Sequence, residues 1–278
     1  MSDRKVVFFD IDGTVWDWKG IIPESAKKTI GELKQKGHIP MICSGRSKGH
    51  IVDEELLGLG FRGIVAACGD YVEIDHNVIF ENTLSEELVR KIIEFSIKCK
   101  VPVVLEGSKY HCISTHGFEK DDFVDRMWKV MGECAVPLEA YSSDMKINKF
   151  SGDITNDSDY DTFYKNIAPY FTFIEHGLSL NIDQKPGRDP NEIIGVFEAV
   201  PPGSSKAKGI KIACDYLGAD ISDTFALGDS NNDIEMIKYV NTGIAMGNAS
   251  PGLKEVADYV TDDIWSDGLR KAMKHFLL

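Results

Sequence analysis

The chain has 278 residues, 43% of them hydrophobic and 27% charged, and a formal net charge of −13. That size and balance suit a globular protein of one large or two modest domains with a sizeable core. The lack of a basic excess argues against a nucleic-acid partner or an anionic membrane surface, so an anionic substrate must be met by a metal or a few placed cations.

Val6 to Phe9 is a short, fully apolar run, which suits a strand buried on both faces of a parallel sheet. It stops on Asp10-Ile11-Asp12-Gly13-Thr14, whose two aspartates project to one side of extended chain. Pro23 to Lys36 predicts a helix with Ala26, Ile30 and Leu33 on one face, Pro23 in its first turn and Gly37 at its stop. A second buried strand, His38 to Cys43, ends on Ser44-Gly45-Arg46-Ser47 and completes a βαβ unit. A helix over Ile51 to Leu59, a strand over Gly63 to Ala67 and a hairpin around Asp75-His76-Asn77 follow.

The pattern changes near Leu84. Ser85 to Lys98 predicts an amphipathic helix with a serine cap. Two strands around Gly107-Ser108, a helix over Asp121 to Gly132, an alternating strand over Met145 to Ile154 and a helix over Asp159 to Ile167 come next. Phe171 to Ile182 predicts a hairpin around His176-Gly177, and Asp183 to Pro190 a polar loop or hinge. Residues 85–189 therefore predict an inserted α+β domain, and residues 1–84 and 190–278 the core that it interrupts. In the core, Ile193 to Val200 predicts a strand, Ser205 to Leu217 a helix and Thr224 to Leu227 a strand ending on Gly228-Asp229-Ser230-Asn231-Asn232-Asp233. Ile234 to Val240, Thr242 to Met246, Ala257 to Val260 and Trp265 to His275 close the chain as helix, strand, strand and helix. The fold class is thus α/β, a Rossmann-like doubly wound parallel sheet with an inserted α+β domain.

Carboxyl ends of neighbouring parallel strands lie on one edge, so three polar clusters can converge there: Asp10 with Asp12, Ser44-Gly45-Arg46, and Asp229 through Asp233. Four acids together call for a divalent cation, and oxygen ligands without nearby His or Cys favour a hard ion such as Mg2+. The Ser44 hydroxyl and Gly45 N–H, leading into a helix, form an anion cradle. Asn232 can donate its amide to a phosphate oxygen. Lys206 opens a helix, where a cation opposes the helix dipole, and that mismatch aims it at something anionic. Each cluster also has a bland reading as a turn, and Lys206 as a surface lysine.

In order, the motifs DIDGT (Asp10 to Thr14), SGR (Ser44 to Arg46), SSKAKGI (Ser204 to Ile210) and GDSNND (Gly228 to Asp233) resemble the haloacid dehalogenase-like phosphohydrolases, Cof-type branch, along nearly the whole chain. The resemblance implies an Asp10 nucleophile forming an aspartyl-phosphate, with Asp12 as general acid and base. It also implies Mg2+ held by the Asp10 carboxylate, the Asp12 backbone carbonyl and Asp229, with Asp233 as ligand or just behind. Ser44, Gly45, Lys206 and Asn232 would hold phosphate, and the inserted domain would set specificity. Arg46 and the stretches Lys146 to Lys149 and Asp183 to Arg188 are candidates for touching the leaving group. The chain departs from the family at Ala67-Cys68-Gly69-Asp70, where an Asn-Gly-Ala turn is common, and at the bulky Trp16 and Trp18, for which core packing is the expected role.

The implied function is a Mg2+-dependent phosphatase of small phosphorylated metabolites such as sugar phosphates. A phosphotransferase or mutase on the same scaffold and a non-catalytic phosphoanion-binding module are the alternatives. Six scattered cysteines without a CxxC pair predict structural thiols in a reducing compartment. The N-terminal MSDRKVVFF lacks the apolar core and cleavage site of a signal peptide, so a cytoplasmic protein is expected.

Overall fold

A computed structural model describes residues 4–115, 122–176 and 193–278. The chain forms two compact units, the first built from residues up to Arg46, Val52–Glu81 and Ser204–Leu278, the second from Ser47–Ile51 and Asn82–Gly203. The first unit begins with β1 (Val6–Phe9), α1 (Glu24–Gln35), β2 (Ile39–Cys43), α2 (Glu54–Gly58), β3 (Gly63–Ala66), β4 (Tyr71–Ile74) and β5 (Asn77–Glu81). The second unit holds α3 (Glu86–Cys99), β6 (Val103–Gly107), β7 (His111–Ile113), α4 (Asp122–Met131), β8 (Ala135–Pro137), β9 (Ile147–Thr155), α5 (Tyr160–Ile167), β10 (Thr172–His176) and β11 (Ile193–Val200). The first unit resumes with α6 (Lys206–Leu217), β12 (Thr224–Gly228), α7 (Ile234–Tyr239), β13 (Thr242–Ala245), α8 (Pro251–Val256), β14 (Tyr259–Val260) and α9 (Gly268–Phe276).

In the first unit the described strands form one sheet of order β14-β13-β12-β1-β2-β3-β4-β5, parallel from β14 to β3 and antiparallel beyond. The chain winds outward from β1 in both directions, through β2 and β3 on one side and β12 to β14 on the other. This is the doubly wound arrangement, with its switch point between β1 and β12. All four β1 residues are buried. Val6 and Phe8 join Ile210 of α6, Met236 of α7 and Leu253 of α8 on one face, and Val7 and Phe9, turned the other way, are equally unexposed. Burial on both faces explains a run without polar alternation. On α1 the buried positions are Ala26, Thr29, Ile30 and Leu33. The β4–β5 turn carries positive φ at Asp75 and His76, the two-residue geometry that matches strand twist in a hairpin.

Several boundaries differ from expectation. The second helix shrinks to α2, because Asp53 accepts a hydrogen bond from Leu56 N at 2.8 Å and so starts the helix late. A three-residue 3-10 turn, Lys48–His50, precedes it. α8 was not anticipated, although Ser250 as cap and Pro251 at its first position are start signals. The strand Ile193–Val200 pairs antiparallel with β9 and β10, so it lies in the second unit's sheet rather than the parallel one. Its nearly continuous apolar run, broken only by Gly195 and Glu198, fits either sheet, and only the pairing decides. That pairing also makes β11 the partner of β10. The far side of the expected hairpin (177–182) and the Asp183 to Pro190 loop fall outside the described residues.

The second unit's described strands run β10-β11-β9-β6-β7-β8. β9 lies at the centre and is buried throughout, so its alternation of apolar and polar residues does not separate a core face from a solvent face. Its Phe150 packs edge-on against Phe171 with ring centroids 5.0 Å apart, and also meets Phe163, Phe173 and Phe197. Its neighbours Lys149, Ser151 and Asp153 are buried polar groups. Among the described residues, no helix is long and apolar enough to cross a membrane. Phe150→Ala removes the hub of this aromatic cluster and is expected to lower stability by about 3–5 kcal/mol, measured by urea unfolding. A loss below about 1 kcal/mol would show that the cluster is not what holds the sheet to its helices.

Candidate active site

The ends of β1 and β12 meet at the switch point. Asp10 N donates to Leu227 O at 3.0 Å, which extends the parallel ladder by one residue. The chain then turns sharply: Ile11 O accepts from Val15 N at 3.0 Å and Trp16 N at 3.1 Å, and Gly13 N donates to Trp16 O at 2.8 Å. Gly13 has φ +75, and a Cβ there would lie 2.3 Å from Asp229 Oδ2. Glycine is therefore required twice over, for the left-handed turn and for the approach of the β12 carboxylate. Asn248, in the loop after β13, donates to Gly13 O at 2.8 Å and holds the turn from the side.

Lys206 lies at the centre of the site. Its Nζ is 2.6 Å from Asp10 Oδ1 and 2.5 Å from Asp233 Oδ1, with the side chain 1% exposed. Burial opposes its charge, but the Asp10 and Asp233 carboxylates hold it protonated, well above an ordinary lysine. The other Asp233 oxygen accepts from Asp229 N at 3.0 Å and Ser230 N at 3.1 Å. Both oxygens of Asp233 are thus committed within the protein. Burial pushes Asp10 well above the usual carboxylate range; Lys206 opposes this, and Asp233 and Asp229 add to it. Burial, reinforced by Asp233, pushes Asp229 up to about 7, with Lys206 offsetting part of the effect.

The cluster fits a hard divalent cation. Asp10, Asp229 and Asp233 each place a carboxylate oxygen within 4.8 Å of the others. Three carboxylates against one ammonium leave an excess of negative charge in a buried site. The Asp229 Oδ1 atom is buried without a well-formed hydrogen bond, as is Thr14 Oγ1, and the Thr14 side chain eases the charge on Asp229 less than burial and Asp233 oppose it. Buried polar atoms are normally satisfied, so a carboxylate oxygen without a well-formed hydrogen bond beside like charges marks a place for a cation.

Asp12 stands apart from this trio. Its carboxylate receives Arg46 in a fork, Nε to Oδ2 at 2.7 Å and Nη2 to Oδ1 at 2.8 Å. The Trp16 indole donates to Oδ1 at 2.9 Å, and the Arg46 guanidinium lies 5.2 Å from the Trp16 ring centroid. Arg46 is therefore engaged by Asp12, where a leaving-group contact was one expectation. Trp16 is buried and serves Asp12 as well as the core, whereas Trp18 is 77% exposed and does not pack as expected. Ser44 Oγ accepts from Arg46 N at 3.2 Å. No α-helix starts directly at Gly45: the 3-10 turn Lys48–His50 comes first and α2 only at Glu54, so the cradle there is a loop. A Cβ on Gly45 would come 3.5 Å from Cys68 Sγ and 3.7 Å from Asn232 Nδ2, which puts the Asn232 amide beside Gly45. Asn232 Oδ1 faces Lys206 Nζ at 3.4 Å and accepts from Ser230 Oγ at 2.7 Å.

In the second unit, Lys149 is buried and pairs with Glu198 at 2.8 Å and Glu106 at 3.8 Å. Its charge is thus spent on internal partners. Arg188 and its stretch fall outside the described residues. Asn248 escaped the sequence reading, and Asp70 entered it only as the last residue of the Ala67-Cys68-Gly69-Asp70 departure, with no role attached. Asn248 follows a parallel strand's carboxyl end in Gly247-Asn248-Ala249-Ser250, a polar cluster of the kind that singled out Asp229 through Asp233. Asp70 carries no such signal.

Lys206→Met would leave three buried carboxylates without their cation. Without added metal, the variant is expected to lose about 3–5 kcal/mol at pH 8. The loss should shrink toward pH 5 as the carboxylates take up protons. Urea midpoints at the two pH values measure this, and a midpoint equal to wild type at pH 8 would contradict the picture of a charge-balancing lysine.

The haloacid dehalogenase-like hydrolase family matches residues 7–273. A Bacillus subtilis protein named "Putative phosphatase YkrA" is 34% identical over 98% of this chain and 97% of its own length. The 5-amino-6-(5-phospho-D-ribitylamino)uracil phosphatase YcsE of the same organism is 27% identical over 99% of this chain and 97% of its own. Among solved structures, the HAD subclass IIB sugar phosphatase BT4131 superposes with a TM-score of 0.76 at 27% identity, covering 98% of each chain. With its doubly wound sheet, its motif-bearing strand ends and a match over nearly its whole length, this chain belongs to the haloacid dehalogenase-like hydrolases.

Proposed function

We propose that the chain hydrolyses small phosphorylated metabolites, sugar phosphates among them, in a Mg2+-dependent reaction through an aspartyl-phosphate on Asp10. The observation that carries this is the separation of the two aspartates of one loop into different environments. Asp10 sits in the buried charge cluster with Lys206, while Asp12 is held outside it by Arg46 and Trp16. A pair of like groups kept in unlike surroundings is the pattern of divided chemical roles. The phosphatase names of the relatives and the sugar-phosphatase neighbour agree with it.

In this reading Asp10 attacks phosphorus and the alcohol departs with a proton from Asp12. Asp12 then takes a proton from the water that hydrolyses the aspartyl-phosphate. The Arg46 fork presents Asp12 as a carboxylate, the form needed in the second step, so proton donation in the first requires the fork to open. Lys206 offsets the charge where an anionic nucleophile meets an anionic ester. Ser44 Oγ, the Gly45 N–H and the Asn232 amide hold the phosphate oxygens. Asp10 and Asp229, with the Asp12 carbonyl, would hold Mg2+, and Asp233, its oxygens already used, would orient Lys206 and the Asp229 loop. The cation would supply positive charge where negative charge gathers at the phosphoryl group. We assign substrate selection to the second unit, because the first-unit residues named here act on the phosphoryl group, the metal and the leaving oxygen, which all phosphate monoesters share.

Asp10→Asn keeps the side chain's shape but removes the nucleophile. Its turnover of p-nitrophenyl phosphate should fall by at least about a thousandfold, and near-normal phosphate release would refute the assignment. Mg2+ should raise the melting temperature more at pH 8 than at pH 6. Asp229, pushed up to about 7, is protonated in the metal-free folded state below that pH, so binding there must displace a proton. Apparent affinity should drop by about tenfold per pH unit below 7 for this one group. Calorimetric titration measures it, and an affinity that is flat from pH 8 to 6 would remove Asp229 from the ligand set.

A further inference from the structure

Three consecutive residues after β3 take positive φ: Ala67 at 50°, Cys68 at 51° and Gly69 at 88°. Residues with a Cβ adopt that conformation only where their surroundings impose it. The turn lies directly on the start of α6. A Cβ on Gly69 would stand 2.0 Å from Ser205 O and 3.0 Å from Gly209 N, so only glycine allows this approach. Asp70 comes next, 0% exposed, and its carboxylate reaches both sides of the same helix start. One oxygen accepts from the Ser204 hydroxyl, the other from Lys208 Nζ at 2.9 Å. The Lys208 ammonium also lies 5.0 Å from the Phe80 ring centroid, which keeps it over Asp70. Between Ser204 and Lys208 stands Lys206.

The electrostatics of α6 explain why an outside acid is needed. Its first turn carries Lys206 and Lys208 and no acidic residue, the unfavourable arrangement for a helix N-terminus. Asp70 brings the missing negative charge from a neighbouring turn. It does so through two contacts that bracket Lys206 in sequence.

We propose that Asp70 is a positioning residue for Lys206. By fixing the segment that enters α6 at Ser204 and the helix itself at Lys208, it sets the height and rotation of the first turn, so that one ammonium spans Asp10 at 2.6 Å and Asp233 at 2.5 Å. A lysine side chain has many rotamers, and a double contact at those distances needs its backbone held. The consequence for catalysis rests on the proposed role of Lys206 in phosphoryl transfer.

The test uses the full chain with Mg2+ and p-nitrophenyl phosphate as the probe. Asp70→Asn keeps the shape, loses the charge and should keep its fold, since Lys208 can turn to water. Its kcat should fall about ten- to a hundredfold while KM changes by less than about threefold, the mark of a group acting on the chemical step. Lys208→Met should give part of that loss, and the double variant should be no worse than Asp70→Asn alone, because the two share one route to Lys206. A kcat within about twofold of wild type in Asp70→Asn overturns the proposal. Amide hydrogen exchange at residues 205–209 decides it without activity. Exchange about tenfold faster in Asp70→Asn supports it, and unchanged exchange overturns it. Should the wild type release no p-nitrophenol, the phosphatase reading fails, and exchange still judges the positioning role.

Discussion

The structure of the first unit depends on one electrostatic constraint, the burial of Asp10, Asp229 and Asp233 around a single lysine. Coulomb repulsion among carboxylates grows as water is removed, so the cluster persists only if each charge has a defined partner. Asp233 answers with two backbone N–H groups and Lys206, and Asp10 with Lys206. Asp229 has an oxygen without a well-formed hydrogen bond. Most of the loop geometry follows from this. Gly13 is needed so that Asp229 can approach, Asn248 holds the Gly13 carbonyl, and α6 must present a lysine from an electrostatically poor position.

The second aspartate of the same loop shows how the fold divides one motif. Asp10 and Asp12 are two residues apart, but Asp10 ends a ladder and Asp12 begins a turn closed by Trp16 N–H to Ile11 O. The turn directs Asp12 toward Arg46, which leaves β2 on the neighbouring strand's end. The doubly wound topology is what makes this possible, because strands from distant parts of the chain come into register at the switch point, Phe9 beside both Leu227 and Ile42.

The second unit is organised on different physics. Its sheet is held by an aromatic cluster centred on Phe150, and the same central strand carries Lys149, balanced by Glu106 and Glu198. A buried cation with two acids adds little net stability, so the apolar face bears the packing. This also shows why a lysine in a strand is a poor guide to a binding site, since its charge can be wholly absorbed by acids on adjacent strands.

Some of this was determined by the amino-acid sequence alone. Burial on both faces forces strands such as β1 and β12 to be continuously apolar, and parallel sheets place loops at strand ends, so the polar clusters at Asp10, Ser44 and Asp229 were legible as a convergent site. Helix caps and glycine stops likewise marked α1 and α3 to within a residue or two. Only the tertiary structure decided the rest. Ile193–Val200 reads equally well as a strand of either sheet, because apolar spacing specifies a face and not a partner. The division of labour between Asp10 and Asp12, the saturation of Asp233, and the capture of Arg46 by Asp12 all depend on distances between segments far apart in the chain. Asp70 is the clearest case: a lone aspartate in a turn, its meaning comes from Ser204 and Lys208, more than a hundred residues away.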